Sequence, residues 1–220
     1  MGILLSTLLT VALTWAPLEG ELYGFPRYTT EHFDGLTCPR LMARSESGII
    51  QVAVHNPSEL VITPFMTIDL STPALPETEQ VQVTVPPGQT IRLERTVSRE
   101  NIDRGFFIFV KANRSASYPV PTAEALCGIL VLNDVPFLNG GTQILSIWLA
   151  LCLLCTPLGL WLWSMGMERH NRLQGVMKAL AVAALGGLLV SMPGLWMPGM
   201  LALTVTVLLA VGLLRLLARV

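Results

Sequence analysis

The sequence predicts an α+β membrane protein, in which an antiparallel β-sandwich outside the membrane is followed by a three-helix transmembrane region. Two observations support this prediction: the charged residues are segregated, and the polar part of the chain alternates in hydrophobicity. Of the 220 residues, 52% are hydrophobic and 13% are charged, whereas a typical soluble protein has about 25% charged residues. Residues 141–167 and 179–214 contain no Asp, Glu, Lys or Arg. These segments are therefore suited to lipid.

The first apolar segment, residues 2–18, has the length of a signal-peptide core or of a short membrane helix. No Lys or Arg precedes it, and Pro17 disfavours cleavage after Ala16, whereas cleavage after Gly20 is compatible with the sequence. Two interpretations of residues 1–20 therefore stay open, a signal peptide and a retained signal-anchor helix. Residues 21–47 are predicted to form an irregular segment.

Three further apolar segments follow the polar part of the chain. The predicted order is a transmembrane helix at 142–166, a loop at 167–178, a second transmembrane helix at 179–197, and a third helix with the C-terminus at 198–220. The Pro-Gly pairs at 193–194 and 198–199 predict a turn between the last two helices. Because these two helices are short, a re-entrant or interfacial hairpin is the alternative.

Basic residues give the predicted orientation, because cytoplasmic loops are enriched in Lys and Arg. The topology-setting residues are Arg169, Arg172 and Lys178 in the predicted loop, and Arg215 and Arg219 at the C-terminus. Both groups place their segments in the cytoplasm. The β-domain is then expected on the periplasmic or extracellular side of a bacterial inner or plasma membrane.

The polar segment has the period-two alternation of β-strands. Alternating stretches occur at 48–55, 80–85 and 90–97, and the turn sequence Pro-Pro-Gly-Gln between the last two predicts a hairpin. Further strands are predicted at 105–112 and 126–132. Several short strands separated by turn sequences are typical of an antiparallel sandwich, here predicted for residues 48–135.

Two local motifs carry a resemblance to a known class of domain. The first predicted strand ends in Asn56-Pro57, and the sequence Val-Pro-Pro-Gly-Gln follows at 85–89. This order resembles bacterial Ig-like modules, and fimbrial-chaperone-like and fibronectin-like domains are similar to it. The resemblance covers residues 48–132. It implies an Ig-like β-sandwich and no particular activity.

Four cysteines offer the main candidate chemistry. In an oxidising compartment Cys38 and Cys127 are expected to form a structural disulfide; two unpaired buried thiols are the alternative. Cys152 and Cys155 share one face of a predicted membrane helix with apolar neighbours, which favours packing over a redox pair or a metal site.

No catalytic motif or cofactor-binding motif is present, so we expect neither catalytic residues nor a cofactor. The methionines Met192, Met197 and Met200 lack an accompanying His or Cys, which favours a partner-binding or membrane-interface role over metal binding. Asn113 begins a formal glycosylation sequon. The near-neutral net charge of −1, with no basic patch, argues against a nucleic-acid partner.

Small residues on the predicted second helix favour close helix packing, either within this chain or on a partner. They are Ala179, Ala183, Gly186 and Gly187. Together with the uncharged spans, they favour a non-catalytic accessory or structural subunit that packs against other integral membrane subunits in the lipid bilayer, a scaffold role. The alternatives are a free-standing surface binding module, using the loops at 71–79 and 113–122, and an enzyme or metal-handling protein.

Overall fold

The structure, a computed structural model, describes residues 1–27, 29–138, 140–166, 171–193 and 196–218. The chain divides into two compact units. Unit 1 contains Met1–Trp15 and Gln143–Val220, and unit 2 contains Ala16–Thr142. The secondary structure is mixed, with helices in unit 1 and two sheets in unit 2.

Four helices in the described part of the chain are long and apolar enough to cross a membrane. They are α1 (Gly2–Leu22), α2 (Gly141–Gly166), α3 (Asn171–Ser191) and α4 (Trp196–Leu217). The predicted count of three is therefore too low. The additional helix is the N-terminal segment, whose apolar run continues as one helix through Pro17 to Leu22.

Two helix boundaries differ from the prediction. Helix α3 begins at Asn171, inside the predicted loop, and α4 begins at Trp196, so that Pro198 and Gly199 lie in its first turn instead of in a turn between helices. Proline is compatible with the first turn of a helix, because the N–H groups there have no partner within the helix. The Pro-Gly pair at 198–199, predicted to form a turn, therefore lies in the first turn of α4.

Helix α1 is the most buried helix of unit 1. In its apolar window 44% of the residues are buried, compared with 11% in α4. Leu9 and Leu13 pack with Cys152 of α2 and Leu188 of α3 in one apolar cluster. A row of small polar residues, Ser6, Thr10 and Thr14, is also buried on α1. Leucines and hydroxyl residues of α1 thus form the interior of this unit.

Among the described residues of unit 2, eight strands form two sheets. They are β1 (Leu36–Thr37), β2 (Leu41–Ala43), β3 (Gly48–His55), β4 (Phe65–Leu70), β5 (Glu77–Gln82), β6 (Thr90–Val97), β7 (Phe107–Arg114) and β8 (Ala123–Leu132). One sheet has the order β1-β3-β6 and the other the order β2-β8-β7-β4-β5. Strands β1 and β2 lie within residues 21–47, so this segment contributes to both sheets.

Strand pairing corrects two predictions. Strands β5 and β6 do not form the predicted hairpin, since β5 pairs with β4 in one sheet and β6 pairs with β3 in the other. The chain changes sheets at the Pro-Pro-Gly-Gln turn. The sheets are also not wholly antiparallel, because β2 pairs in parallel with β8. Alternation predicts a strand, but the same alternation fits any partner that buries the same face.

One apolar core lies between the two sheets. Ile50 and Val52 of the three-stranded sheet and Ile108, Val110 and Ile129 of the five-stranded sheet are fully buried in it. The predicted disulfide is present, and it joins Cys38 to Cys127 across 89 positions of sequence. Cys127 is part of the core, and Cys38 packs against it. The bridge therefore links the chain before β2 to the middle of β8.

The outer face of the five-stranded sheet is covered as well. All residues of β7 except its last are buried, although an exposed sheet face would leave every second one open. Residues 16–27, here called the cover segment, supply Ala16, Tyr23 and Phe25, which pack on Phe107 and Phe109. Unit 2 therefore has a third layer, built by the end of α1 and the residues that follow it.

Candidate functional site

A buried ion pair lies beneath the cover segment. Lys111 Nζ is 2.8 Å from Glu124 Oε2, and the two side chains are 2% and 11% exposed. Lys111 also donates a hydrogen bond to the carbonyl oxygen of Pro26. A charge this far from water is tolerated only when it is paired and hydrogen-bonded. The pair thus fixes the cover segment to β7 and β8 at a defined position.

Two glycines allow the cover segment to approach the sheet closely. A Cβ atom at Gly128 of β8 would overlap the backbone of Ala16, and one at Gly20 would lie 2.6 Å from Leu126 Cδ2. Tyr23 stacks 4.6 Å from Phe109, centroid to centroid. Burial raises the pKa of Tyr23 to about 12, and a hydrogen bond to Asp103 adds to this effect. The cover segment is therefore a fitted part of unit 2.

A cleft in unit 2 has a volume of about 670 Å³. It lies among the chain before β1, the end of β3 and the loop between β7 and β8. Its lining residues are Phe33, Asp34, Gly35, Ala53, His55, Pro57, Ser58, Arg114, Pro119, Val120 and Pro121. The volume is in the range of small-molecule and peptide sites, and the lining is mainly apolar.

Arg114 and Phe33 form the wall of this cleft. The Arg114 guanidinium carbon lies 5.6 Å from the centre of the Phe33 ring, a cation–π distance. Arg114 Nη2 donates a hydrogen bond of 3.1 Å to the carbonyl oxygen of Pro121. Burial lowers the pKa of Arg114, and the nearby charge of Glu31 opposes this shift. The contacts hold Arg114 between the loop and the aromatic ring.

The cleft contains a Ser, a His and an Asp, the residue types of a hydrolytic triad, but their hydrogen bonds run elsewhere. Ser58 Oγ lies 2.7 Å from Asn56 Oδ1 and donates to it. His55 Nδ1 lies 3.0 Å from Thr90 Oγ1. A triad requires the nucleophile to contact its base. Ser58 bonds within its own turn, and His55 bonds across the pair of β3 and β6, so neither hydrogen bond is the one that a triad needs.

The helix glycines of unit 1 are of two kinds: some lie against a neighbouring helix, and others face open space. A Cβ at Gly187 would lie 2.8 Å from Ala202 Cβ, and one at Gly199 would lie 2.7 Å from Ser191 Oγ. At Gly159, Gly186 and Gly212, by contrast, a Cβ would meet nothing within 4 Å. The first group allows helices of this chain to pack closely. The second group leaves gaps on otherwise bulky apolar faces.

Of the four predicted helix-packing residues, Gly187 is at a contact within unit 1. Ala179 is exposed, Ala183 is half-buried, and Gly186 faces open space. The residues of α3 that are buried in unit 1 include Leu180, Ala181, Ala184 and Leu188. Within this chain α3 therefore packs mainly through other residues than the four predicted. The open positions Ala179 and Gly186 fit the other predicted role, packing on a partner, and that role stays a prediction.

The topology-setting residues fall mostly at the limits of the described structure. Lys178 and Arg215 lie on α3 and α4 with exposed side chains. Arg172 belongs to α3, but its side chain lies outside the described part, as do Arg169 and Arg219 entirely. The orientation deduced from these residues stays a prediction.

The other candidate residues are separate from the cleft. Cys152 is buried among apolar side chains of unit 1, and Cys155 is half-buried; both are free thiols. Met197 and Met200 are exposed on α4. Among the described residues, no group of three or more His, Cys, Asp or Glu side chains is arranged to hold a metal ion.

Asn113 is a poor glycosylation site. It lies within β7, where it pairs with Thr67 and Glu124, and it is 9% exposed. An acceptor asparagine must reach solvent on a surface loop. The burial of Asn113 in β7 therefore disfavours it as an acceptor.

The comparisons with known proteins leave the family open. No protein-family model matches the chain, and no curated protein matches it. Among solved structures, a Paenibacillus cycloisomaltooligosaccharide glucanotransferase matches 47% of this chain and 14% of its own, with 16% identity and a TM-score of 0.37. A CARDB domain from Pyrococcus furiosus matches 45% of this chain and 90% of its own, with 10% identity and a TM-score of 0.37.

A β-glucosidase from Listeria innocua gives a similar result: 52% of this chain, 20% of the enzyme, 14% identity and a TM-score of 0.34. The chain thus spans a small part of the two enzymes. TM-scores this low assign neither a fold family nor an activity.

Sequence reasoning missed the two features that organise unit 2. The cover segment lies in a stretch that resembles a signal peptide followed by irregular chain, and its layer forms only when β7 and β8 are adjacent. One signal was available: Phe107, Phe109 and Lys111 alternate with Ile108 and Val110, so both faces of β7 carry residues that need cover. No sequence pattern indicated the cleft, because its lining residues come from three distant parts of the chain.

Proposed function

We propose that this protein is a non-catalytic accessory subunit of a larger membrane protein complex. Its β-domain, an Ig-like sandwich on the periplasmic or extracellular side of a bacterial membrane, docks on partner subunits while its helices pack beside theirs. The observation that carries the proposal is the set of outward-facing glycines at 159, 186 and 212, where a Cβ would meet nothing within 4 Å.

The physical argument rests on what glycine does in a membrane helix. Glycine destabilises a helix by about 1 kcal/mol relative to alanine. Small residues are enriched where two membrane helices approach closely, because backbone contact replaces side-chain contact. Gly187 and Gly199 have this role within unit 1. By the same reasoning, Gly159 and Gly212 receive helices that belong to another chain.

The bulky residues around these glycines fit the same role. On α2 they include Leu158 and Leu162, and on α4 Leu208 and Val211, all exposed in this chain. A gap flanked by leucines accepts a ridge of a neighbouring helix. Lipid covers such a face as well, so the experiment must distinguish lipid from protein.

The test is native mass spectrometry of the tagged full-length protein, extracted from its own membrane in mild detergent. The wild type is expected to carry a stoichiometric partner. Gly159→Leu and Gly212→Leu are expected to lose it, because each side chain fills the gap. Val205→Leu, which adds bulk at an exposed non-glycine position of α4, serves as the control and should keep the partner. A wild-type monomer that carries only lipid contradicts the proposal.

The second candidate function is a free-standing, membrane-anchored surface binding module for a peptide, glycan or envelope component. The cleft walled by Phe33 and Arg114 favours it, because the loop between β7 and β8 supplies part of the lining. Replacing residues 118–121 with a Gly-Ser linker should abolish binding to isolated envelope material and leave assembly intact. A second variant replaces residues 73–76, in the other predicted binding loop, which lies outside the cleft. Binding at the wild-type level by both variants excludes this candidate, and loss in the second variant alone assigns binding to that loop instead of the cleft.

A further inference from the structure

The turn at 134–138, which precedes α2, carries an apolar side chain, Phe137, that is not covered by the rest of the protein. Phe137 is 100% exposed, and Val135 is 42% exposed. Phe137 also has a positive φ of 74°. A bulky residue in this left-handed region is destabilised by about 1–2 kcal/mol. A backbone held in an unfavourable conformation that also exposes an aromatic ring to water needs a compensating environment.

The turn is held firmly on both sides. Ser45 donates two hydrogen bonds to Asp134 Oδ1, of 3.0 Å from its backbone N and 2.7 Å from its Oγ. Glu46 Oε2 accepts a hydrogen bond of 2.6 Å from the backbone N of Gly141, the first residue of α2. A carboxylate at this position caps a helix N-terminus. Hydrogen bonds from residues 45 and 46 thus lie on both sides of Phe137 in the sequence.

The chain length places this turn near the surface of the bilayer. The apolar part of α2, residues 144–163, is about 30 Å long at 1.5 Å per residue, which equals the thickness of the hydrocarbon core. Gly141 then lies in the headgroup region. Phe137 precedes Gly141 by four residues and reaches at most about 14 Å from it. That distance allows the ring to reach the headgroup and acyl-chain boundary.

The charges around the turn agree with a lipid surface. Hydrogen bonds from Ser45 are the main cause that lowers the pKa of Asp134, and the positive charges of Arg44 and Arg99 lower it further. Arg44 is exposed. Arg44 is also close enough to act on Asp134, three residues before Phe137. An exposed arginine and an exposed aromatic ring in one surface segment are the combination found in membrane-interface segments, in which the ring enters the boundary and the cation contacts phosphate.

We propose that residues 134–138 form an interfacial anchor, in which Phe137 and Val135 insert into the headgroup and acyl-chain boundary of the bilayer that α2 crosses, with Arg44 at the phosphate level. The occupant of this surface is lipid.

The test measures depth with a fluorescent label on single cysteines. The full-length protein, with Cys152→Ala and Cys155→Ala and the disulfide intact, carries an environment-sensitive dye at Phe137→Cys. It is reconstituted in vesicles that contain phospholipids brominated near the headgroup end or near the methyl end of the acyl chain. Leu75→Cys is the matched control, because Leu75 is a 79% exposed apolar residue in another loop of unit 2. Leu154→Cys, in the apolar part of α2, reports the spanning helix itself.

The expected result is quenching at position 137 at least about twofold stronger than at position 75, and stronger with the shallow bromine than with the deep one. Position 154 should respond more to the deep bromine. Aqueous emission at 137, with no more quenching than at 75, overturns the anchor while 154 still reports a spanning α2. No quenching at 154 overturns it as well, since the argument rests on α2 crossing the bilayer.

A second measurement keeps the aromatic ring in place. The dye is attached at Val135→Cys, with Phe137 either intact or replaced in Phe137→Ser. The loss of the ring should lower the quenching at 135 toward the level found at 75. Equal quenching with and without the ring contradicts the assignment of Phe137 as the inserting residue.

Discussion

The ion pair between Lys111 and Glu124 permits the sharpest test of the three-layer arrangement of unit 2. Glu124→Gln keeps the size of the side chain and removes its charge, which leaves the Lys111 ammonium buried beneath the cover segment. Both side chains are almost fully buried, and their charged atoms lie 2.8 Å apart. Removing one partner of such a pair typically destabilises a protein by about 3–5 kcal/mol, because the remaining charge is desolvated and unpaired.

For the double replacement we expect no loss of stability. Lys111→Met with Glu124→Leu removes both charges and keeps apolar volume under the cover segment, and such replacements are often neutral or stabilising by about 1–4 kcal/mol. The assay is thermal unfolding of the full-length protein in detergent. For a domain of this size each kcal/mol moves Tm by about 2–8 °C, so a loss of about 3–5 kcal/mol in Glu124→Gln should lower Tm by about 6 °C or more.

Lys111→Met alone completes the thermodynamic cycle and should be destabilising as well. A change within about 0.5 kcal/mol for Glu124→Gln, the size usual for exposed positions, refutes the reasoning. It means that water reaches the ammonium and that the cover segment does not seal this face of the sheet.

Three further predictions follow from unit 2. Replacing both Cys38 and Cys127 with alanine should destabilise the protein by about 4–5 kcal/mol in chemical unfolding, because the bridge closes a long loop; an unchanged midpoint contradicts this. The intact mass of the protein purified from its membrane should include residues 1–20, because Ala16 packs on the sheet; a mass that lacks them refutes a structural role for the end of α1. Hydrogen bonds from Ser45 and nearby positive charge hold the pKa of Asp134 below its ordinary value of 3.8. The ionised Asp134 therefore stabilises the folded protein fully above pH 3.8, and this stabilisation is lost as the pH falls through the lower pKa of the folded state. The protection factor of the Ser45 amide, which is its exchange rate relative to the intrinsic rate at the same pH, should therefore fall only in that acidic range, and Asp134→Asn should remove this change.

The resemblance of the N-terminal segment to a signal peptide illustrates the limit of local patterns. Its length and apolar composition fit both a removable leader and a membrane helix. The structure adds contacts that the composition does not indicate: Leu9 and Leu13 pack within unit 1, and Ala16 packs within unit 2. Contacts with residues more than a hundred positions away cannot be deduced from the segment alone.

The alternation of residues 80–97 shows the same limit in the sheets. It correctly predicts two strands near these residues, because side chains on a strand point to opposite faces with a period of two. It wrongly predicts that they pair with each other. The chain crosses between sheets at the Pro-Pro-Gly-Gln turn, and pairing depends on which neighbouring strand buries the same face.

The sequence by itself determined the division of this protein into apolar helices and a polar β-domain, and it determined the partners in the disulfide. These features depend on composition, on periodicity and on the small number of cysteines, all of which are local or countable. Only the tertiary structure decided the number of helices in the bundle, the strand pairing, the cover segment with its buried ion pair, and the cleft. Each of these depends on which distant surfaces meet, because burial and pairing are properties of two segments and are encoded in neither one alone.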